Sequence, residues 1–128
     1  MYTGVEIDFI VKDSLQAIKI YQSIFDVELL EKTNLEVGLN EVVFKIFNTR
    51  FHMLDENEEY HLHAPKPDIY MPIWFNVVVL NIEEVHKKAL RLGCIEIQPI
   101  KEMKEYKVTN SMFKDEFGYL WMLHQIKE

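Results

Sequence analysis

The chain carries one pattern of residue types twice, at a spacing of 68 positions. Glu6-Ile7-Asp8-Phe9-Ile10-Val11 and Trp74-Phe75-Asn76-Val77-Val78-Val79 are both apolar, β-rich runs. A polar cap and a stretch of helical periodicity follow each, and shorter strand-like runs close each copy. A repeat of this kind constrains the fold more than composition can, because each copy is a supersecondary unit with an apolar face to bury.

In the first copy Asp13 is the expected helix N-cap, and Gln16 completes a capping-box pattern. Leu15, Ile18, Tyr21, Ile24 and Phe25 recur at helical spacing. Residues 27–30 read as a strand, 34–40 as a turn region around Gly38, and 42–47 with 50–54 as a hairpin turning at Asn48-Thr49. In the second copy Asn81 and Glu84 stand at the matching cap positions, and Ile82, Val85, Ala89 and Leu92 form the apolar stripe. Gly93 suits a helix C′ position. Residues 95–97 form a strand that Pro99 weakens or ends. Residues 107–113 and 119–125 make the last hairpin, turning at Glu116-Phe117-Gly118. Both copies read βαβββ. The expected organisation is one domain of two modules, 4–56 and 73–126, joined by a proline-rich linker at 57–72.

With 128 residues, nearly half of them hydrophobic, the chain can bury a real core. Its net charge of −7 comes with no basic stripe, which argues against nucleic acid as a partner. No apolar run approaches the roughly 20 residues a membrane helix needs. Cys94 is the only cysteine, which excludes an internal disulfide and fits a reducing cytoplasm. Met1-Tyr2-Thr3-Gly4 lacks the basic and apolar regions of a signal peptide.

Two stretches carry a family resemblance. Val11 to Phe25 (VKDSLQAIKIYQSIF) is similar to the first strand end and helix of the vicinal oxygen chelate superfamily. Lys114 to His124 (KDEFGYLWMLH) resembles its closing hairpin, D-P-F-G-H-x-W-x-(L/I), with Glu116 in place of the proline. This superfamily includes glyoxalase I, bleomycin-resistance proteins and extradiol dioxygenases. The hairpin looks most like the bacterial branch labelled demethylubiquinone-methyltransferase-like. The resemblance spans nearly the whole chain. It implies an α+β fold in which tandem βαβββ modules form a half-barrel with the helices outside. It also implies a metal site inside, with one ligand from the first and last strand of each module.

Those ligand positions map to Glu6, Leu54, Trp74 and Met122. Only Glu6 is a donor for a hard or borderline divalent ion. Strand alternation turns Glu6, Asp8, Asn76, His52 and His124 to the same inner side. Trp74, Met122, Leu54, Phe44 and Met112 complete the expected cavity wall. Aromatic and thioether walls with a few polar points suit a small amphiphilic ligand, with no cofactor. The alternative is a lyase, isomerase or dioxygenase using Zn, Ni, Mn or Fe held by Glu6 or Asp8 with His52 and His124. A metal-free reaction with Glu6 or Asp8 as general base is a third option. The bland alternative is that the apolar side chains fill the barrel. No catalytic residue is assigned. A homodimer is expected, because open sheets expose strand edges. His61 and His63 read as surface loop, His86 as exposed, and Cys94 as a small core residue.

Overall fold

The computed structural model describes residues 3–66 and 68–127, and the chain divides into two compact units between Pro65 and Lys66. Met1, Tyr2, Pro67 and Glu128 lie outside the described residues, and with them part of the leader and linker readings. The first unit contains β1 (Glu6–Val11), α1 (Ser14–Ile24), β2 (Val27–Lys32), β3 (Glu41–Ile46) and β4 (Thr49–Asp55). The second contains β5 (Phe75–Val78), α2 (Ile82–Arg91), β6 (Ile95–Met103), β7 (Val108–Lys114) and β8 (Leu120–Ile126). Their sheets run β1-β4-β3-β2 and β5-β8-β7-β6. In each, the first strand pairs parallel with the last, and the other pairings are antiparallel. The fold is α+β with two βαβββ modules, and neither sheet closes into a barrel among the described residues.

The helices start where the caps place them. Asp13 accepts from Gln16 N at 3.3 Å, and Asn81 accepts from Glu84 N at 3.2 Å. Each first-turn N–H is also held from the closing strand. Asp55 Oδ1 accepts from Ser14 N at 2.7 Å, and Gln125 Oε1 accepts from Ile82 N at 2.7 Å. These bonds satisfy helix donors that have no partner within the helix. The second helix ends in a Schellman turn: Gly93 N donates to Leu90 O and Cys94 N to Ala89 O, with Gly93 at φ +99°.

Each helix covers one face of its sheet, and that face alternates as expected of half-buried strands. On β4, Phe51, Met53 and Asp55 are buried while Arg50, His52 and Leu54 are partly exposed. The first core is aromatic. Phe9 meets Tyr21, Phe44 and Phe51 edge-on at centroid distances of 6.1, 6.3 and 6.0 Å. In the second unit Phe75 lies 4.7 Å from Trp121, whose indole is fully buried.

Three sequence expectations need correction. The first hairpin turns at Phe47-Asn48, one residue early, with Phe47 in the left-handed region at φ 53°. Strand β6 continues through Pro99 to Met103. It tolerates proline because it is an edge strand, and its register shifts between Gln98 and Lys101 absorb the missing donor. The third correction concerns the repeat. Ile7 lies beside Phe51, and its equivalent Phe75 lies beside Trp121, so Phe51 corresponds to Trp121, 70 residues on. Phe44 pairs with Phe51 as Phe113 pairs with Trp121, so these strands are offset by 69. The closing hairpins therefore do not keep the 68-residue spacing, and the last turn of the second module is one residue longer.

Asp55 also accepts from Gly38 N at 2.8 Å and Asn40 N at 3.0 Å, and it is buried. Asp55→Ala strands three donors, so urea unfolding of the first unit is expected to lose roughly 3 kcal/mol. Gln125→Ala strands one and is expected to cost the second unit about 1 kcal/mol. Equal losses would show that the extra bonds of Asp55 add nothing.

Candidate functional site

The face of the first sheet opposite α1 gathers the chemistry-bearing residues. In register across β1, β4 and β3, Glu6 lies beside Arg50 and Lys45, Asp8 beside His52 and Val43, and Ile10 beside Leu54 and Glu41. Alternation keeps all of these off the helix side. Arg50 Nε donates to Glu6 Oε2 at 2.6 Å. His52 Nδ1 stands 3.2 Å from Glu6 Oε1 and 3.6 Å from Asp8 Oδ2. Its Nε2 is 3.5 Å from Glu41 Oε1 but makes no hydrogen bond. One imidazole thus stands among three carboxylates and beside one guanidinium. Glu6 and His52 are mostly shielded, whereas Asp8 is half exposed.

The hydrogen bond from Arg50 holds the Glu6 carboxyl below the usual carboxylate range; partial burial opposes it, and the nearby positive charge assists. Arg50 and Glu41 were missed from the sequence. The signal for Arg50 was present, since it precedes His52 by two positions and so shares its face.

Glu6, Asp8 and His52 each offer one ligand atom within 4.8 Å of the others, so this cluster could hold a metal ion. Two observations count against it. Arg50 engages one oxygen of Glu6 and places a fixed cation beside the site. The second unit supplies no suitable donor at the positions that match Glu6 and His52. By the observed registers His52 corresponds to Met122 and Leu54 to His124, while Glu6 and Asp8 correspond to Trp74 and Asn76. The 68-residue spacing had matched Leu54 to Met122, which the register corrects. A thioether and an indole N–H are poor partners for a hard divalent ion. The residues therefore do not fit a four-ligand site drawn from both modules.

The remaining expected site residues fall as follows. On the face of the second sheet opposite α2, Asn76, Met122 and buried Met112 lie in one row, and Val78, His124 and Asn110 in the next. Trp74 precedes β5 and is half exposed. Leu54 stands two positions from His52 on the face of the first sheet opposite α1 and is partly exposed. Phe44, expected in the cavity wall, packs instead on the helix side with no exposed surface, because it pairs directly with Phe51. Glu6 and His52 of the weaker metal trio do meet, in the company of Asp8; His124 belongs to the second unit.

The other histidines and the cysteine are structural or exposed. His61 has left-handed φ after the short 3₁₀ turn Glu58–Tyr60, and exposed His63 lies 3.5 Å from Glu58. His86 is buried, correcting the expectation of exposure. It shares the inner stripe of α2 with Ile82 and Ala89, at i+4 and i+7 from Ile82, and its Nε2 reaches Glu96 at 2.9 Å. Cys94 is buried, and desolvation pushes its thiol up to about 12, so it stays protonated and unreactive. In the closing turn, Asp115 accepts from Phe117 N, Tyr119 N and Trp121 Nε1. The acidic residue of that turn motif is thus a structural brace.

A family model described as Glyoxalase/Bleomycin resistance protein/Dioxygenase superfamily matches residues 5–123. No curated protein sequence matches the chain. Several solved structures share the fold. A point mutant of the fosfomycin resistance protein FosX from Listeria monocytogenes, solved with Mn(II) and 1S,2S-dihydroxypropylphosphonic acid, is 19% identical with TM-score 0.73, covering 97% of this chain and 90% of that one. A putative 3-demethylubiquinone-9 3-methyltransferase, the PhnB protein of Bacillus cereus, is 17% identical with TM-score 0.74, covering 96% and 99%. TioX from Micromonospora sp. ML1 is 14% identical with TM-score 0.71, covering 97% and 98%.

The Glu6–Arg50 pair predicts a pH effect of fixed sign. Because folding lowers the Glu6 pKa, the pair stabilises the fold above the unfolded carboxylate range, and that share fades as pH falls through the folded pKa. In Arg50→Met, carboxyl-carbon NMR should show Glu6 titrating higher, and stability should lose part of its dependence on pH below neutrality. A Glu6 pKa unchanged in Arg50→Met would refute Arg50 as the cause.

Proposed function

Because the chain belongs to the Glyoxalase/Bleomycin resistance protein/Dioxygenase superfamily, we propose that it binds a small organic molecule on the faces of its sheets opposite the helices, and that the family's metal site is degenerate. The observation that carries this reading is the uneven distribution of donors. Polar and charged groups gather at Glu6, Asp8, His52 and Arg50 on the first sheet, while the corresponding positions of the second are Trp74, Asn76, Met122 and Leu120. A few polar groups orient a ligand, and adaptable thioether and aromatic surface buries its apolar part. Leu54, Met112 and His124 extend these surfaces. The proposed organisation is one domain with modules at 4–56 and 73–126 and a linker at 57–72. A cytoplasmic homodimer belongs to the same reading, and light scattering on the purified chain should return twice the monomer mass.

The clustering of Glu6, Asp8 and His52 favours a second reading, a divalent-metal-dependent lyase, isomerase or dioxygenase. The likeness to a Mn(II)-bound FosX supports it at the level of the fold. There a metal would supply Lewis acidity toward substrate oxygens.

One experiment separates the readings. Untagged protein is screened by thermal shift against aromatic and amphiphilic compounds, with and without Mn, Zn, Ni or Fe(II). The binding reading expects a metal-independent stabiliser, giving about 2.7 kcal/mol at a hundredfold excess over Kd. Its effect should shrink in His52→Ala. Stoichiometric metal that is lost in His52→Ala would support the enzyme reading instead. A screen with neither ligand nor metal effect would refute both.

A further inference from the structure

Two of the buried polar atoms that the fold leaves unmatched face each other across the second sheet. Asn110 and His124 face each other across the β7–β8 ladder, on the same face as the neighbouring Met112–Met122 pair. Asn110 Oδ1 and His124 Nδ1 are both shielded from solvent and have no hydrogen-bond partner. Buried polar atoms are satisfied in nearly all native structures, so two orphans in one ladder pair need a reason. Ser111 Oγ and His86 Nδ1 of this unit are also without a partner, but they belong to buried residues on the helix side, whereas Asn110 and His124 are half-buried and face each other in one ladder pair.

We propose that Asn110 and His124 form a polar subsite that hydrogen-bonds a neutral hydroxyl or carboxamide of a ligand whose apolar body rests on Met112 and Met122. The proposal rests on the small-molecule reading above and names the class of ligand it would take. The chemistry of the two atoms narrows the class. Asn110 Oδ1 only accepts, so the ligand must donate there. His124 Nδ1 donates or accepts according to tautomer: a hydroxyl that donates to Asn110 accepts from the Nδ1–H form, and a primary amide, with two N–H donors and a carbonyl, meets either form while donating to Asn110. A carboxylate or a bare ketone cannot donate, and an ammonium ion cannot accept. Geometry supports the apolar half, since the methionine pair lies two positions along the ladder, about 7 Å away. Both residues are half-buried, and their flat end groups have broad, two-fold χ2 preferences.

Benzyl alcohol and toluene, which share the ring and differ in the hydroxymethyl and methyl groups, test this by NMR titration of the whole chain labelled at the methionine methyls. The expected result is perturbation of the Met112 and Met122 methyls by both probes, with benzyl alcohol binding about tenfold tighter, the worth of one good hydrogen bond. In Asn110→Ala and in His124→Phe that preference should fall to near parity. Thermal stability of Asn110→Ala should stay equal or rise, because the variant removes an unpaired acceptor. Equal affinities in the natural chain would overturn the subsite while leaving the small-molecule reading standing. A lowered melting temperature in Asn110→Ala with the preference intact would also overturn it, identifying the pair as the seat of a structural water. Silence of both methyls with both probes would sink the subsite and the ligand surface of this sheet together.

Discussion

Asp55 joins three parts of the first module that the backbone alone would leave loosely coupled. It ends the closing strand, yet its carboxylate accepts from the first turn of α1 and from two amides of the loop before β3. A buried carboxylate is tolerated only when donors replace its water, and here three backbone N–H groups do so. The positive end of the helix adds to the compensation. Helix, loop and strand are thereby fixed in one geometry, which sets the β1–β4 register. That register brings Glu6, Asp8, Arg50 and His52 onto one face. Gln125 does the same work in the second module with one bond and no charge.

The site is a consequence of what the helix does not cover. Burial on the helix side selects Phe9, Phe44, Phe51 and Met53, and alternation then assigns the intervening residues to the open side. That side carries carboxylates, an imidazole and a guanidinium at hydrogen-bonding distances. Arg50 is the residue that changes its chemistry most. By pairing with Glu6 it keeps that carboxyl ionised and engages one of its oxygens. This favours a fixed polar surface over a free metal ligand.

Much of this was legible in the residues. The caps at Asp13 and Asn81, the stripe of α1, the Gly93 terminator and the βαβββ order all follow from local rules, because each depends on neighbours within one turn or strand. The features that were not legible depend on distant partners. Phe44 reads equally well on either face until its pairing with Phe51 is known. His86 lies among lysines in sequence, yet it turns into the core and Glu96 on β6 offers it a partner from the exposed side. Pro99 looks like a strand end, and only the edge position of β6 makes it acceptable.

The one-residue offsets in the closing hairpins carry the largest functional lesson. Reading the repeat at a constant 68 residues matches Leu54 with Met122 and leaves His52 without a meaningful counterpart. The observed ladders match His52 with Met122, and Leu54 with His124. Each module therefore has one histidine on its closing strand, but at successive inward positions. In the first, the histidine stands beside two carboxylates on β1; in the second, it stands opposite an asparagine on β7. The polar positions of the two faces therefore do not match: the first carries a charged cluster at Glu6, Asp8, Arg50 and His52, the second a neutral pair at Asn110 and His124.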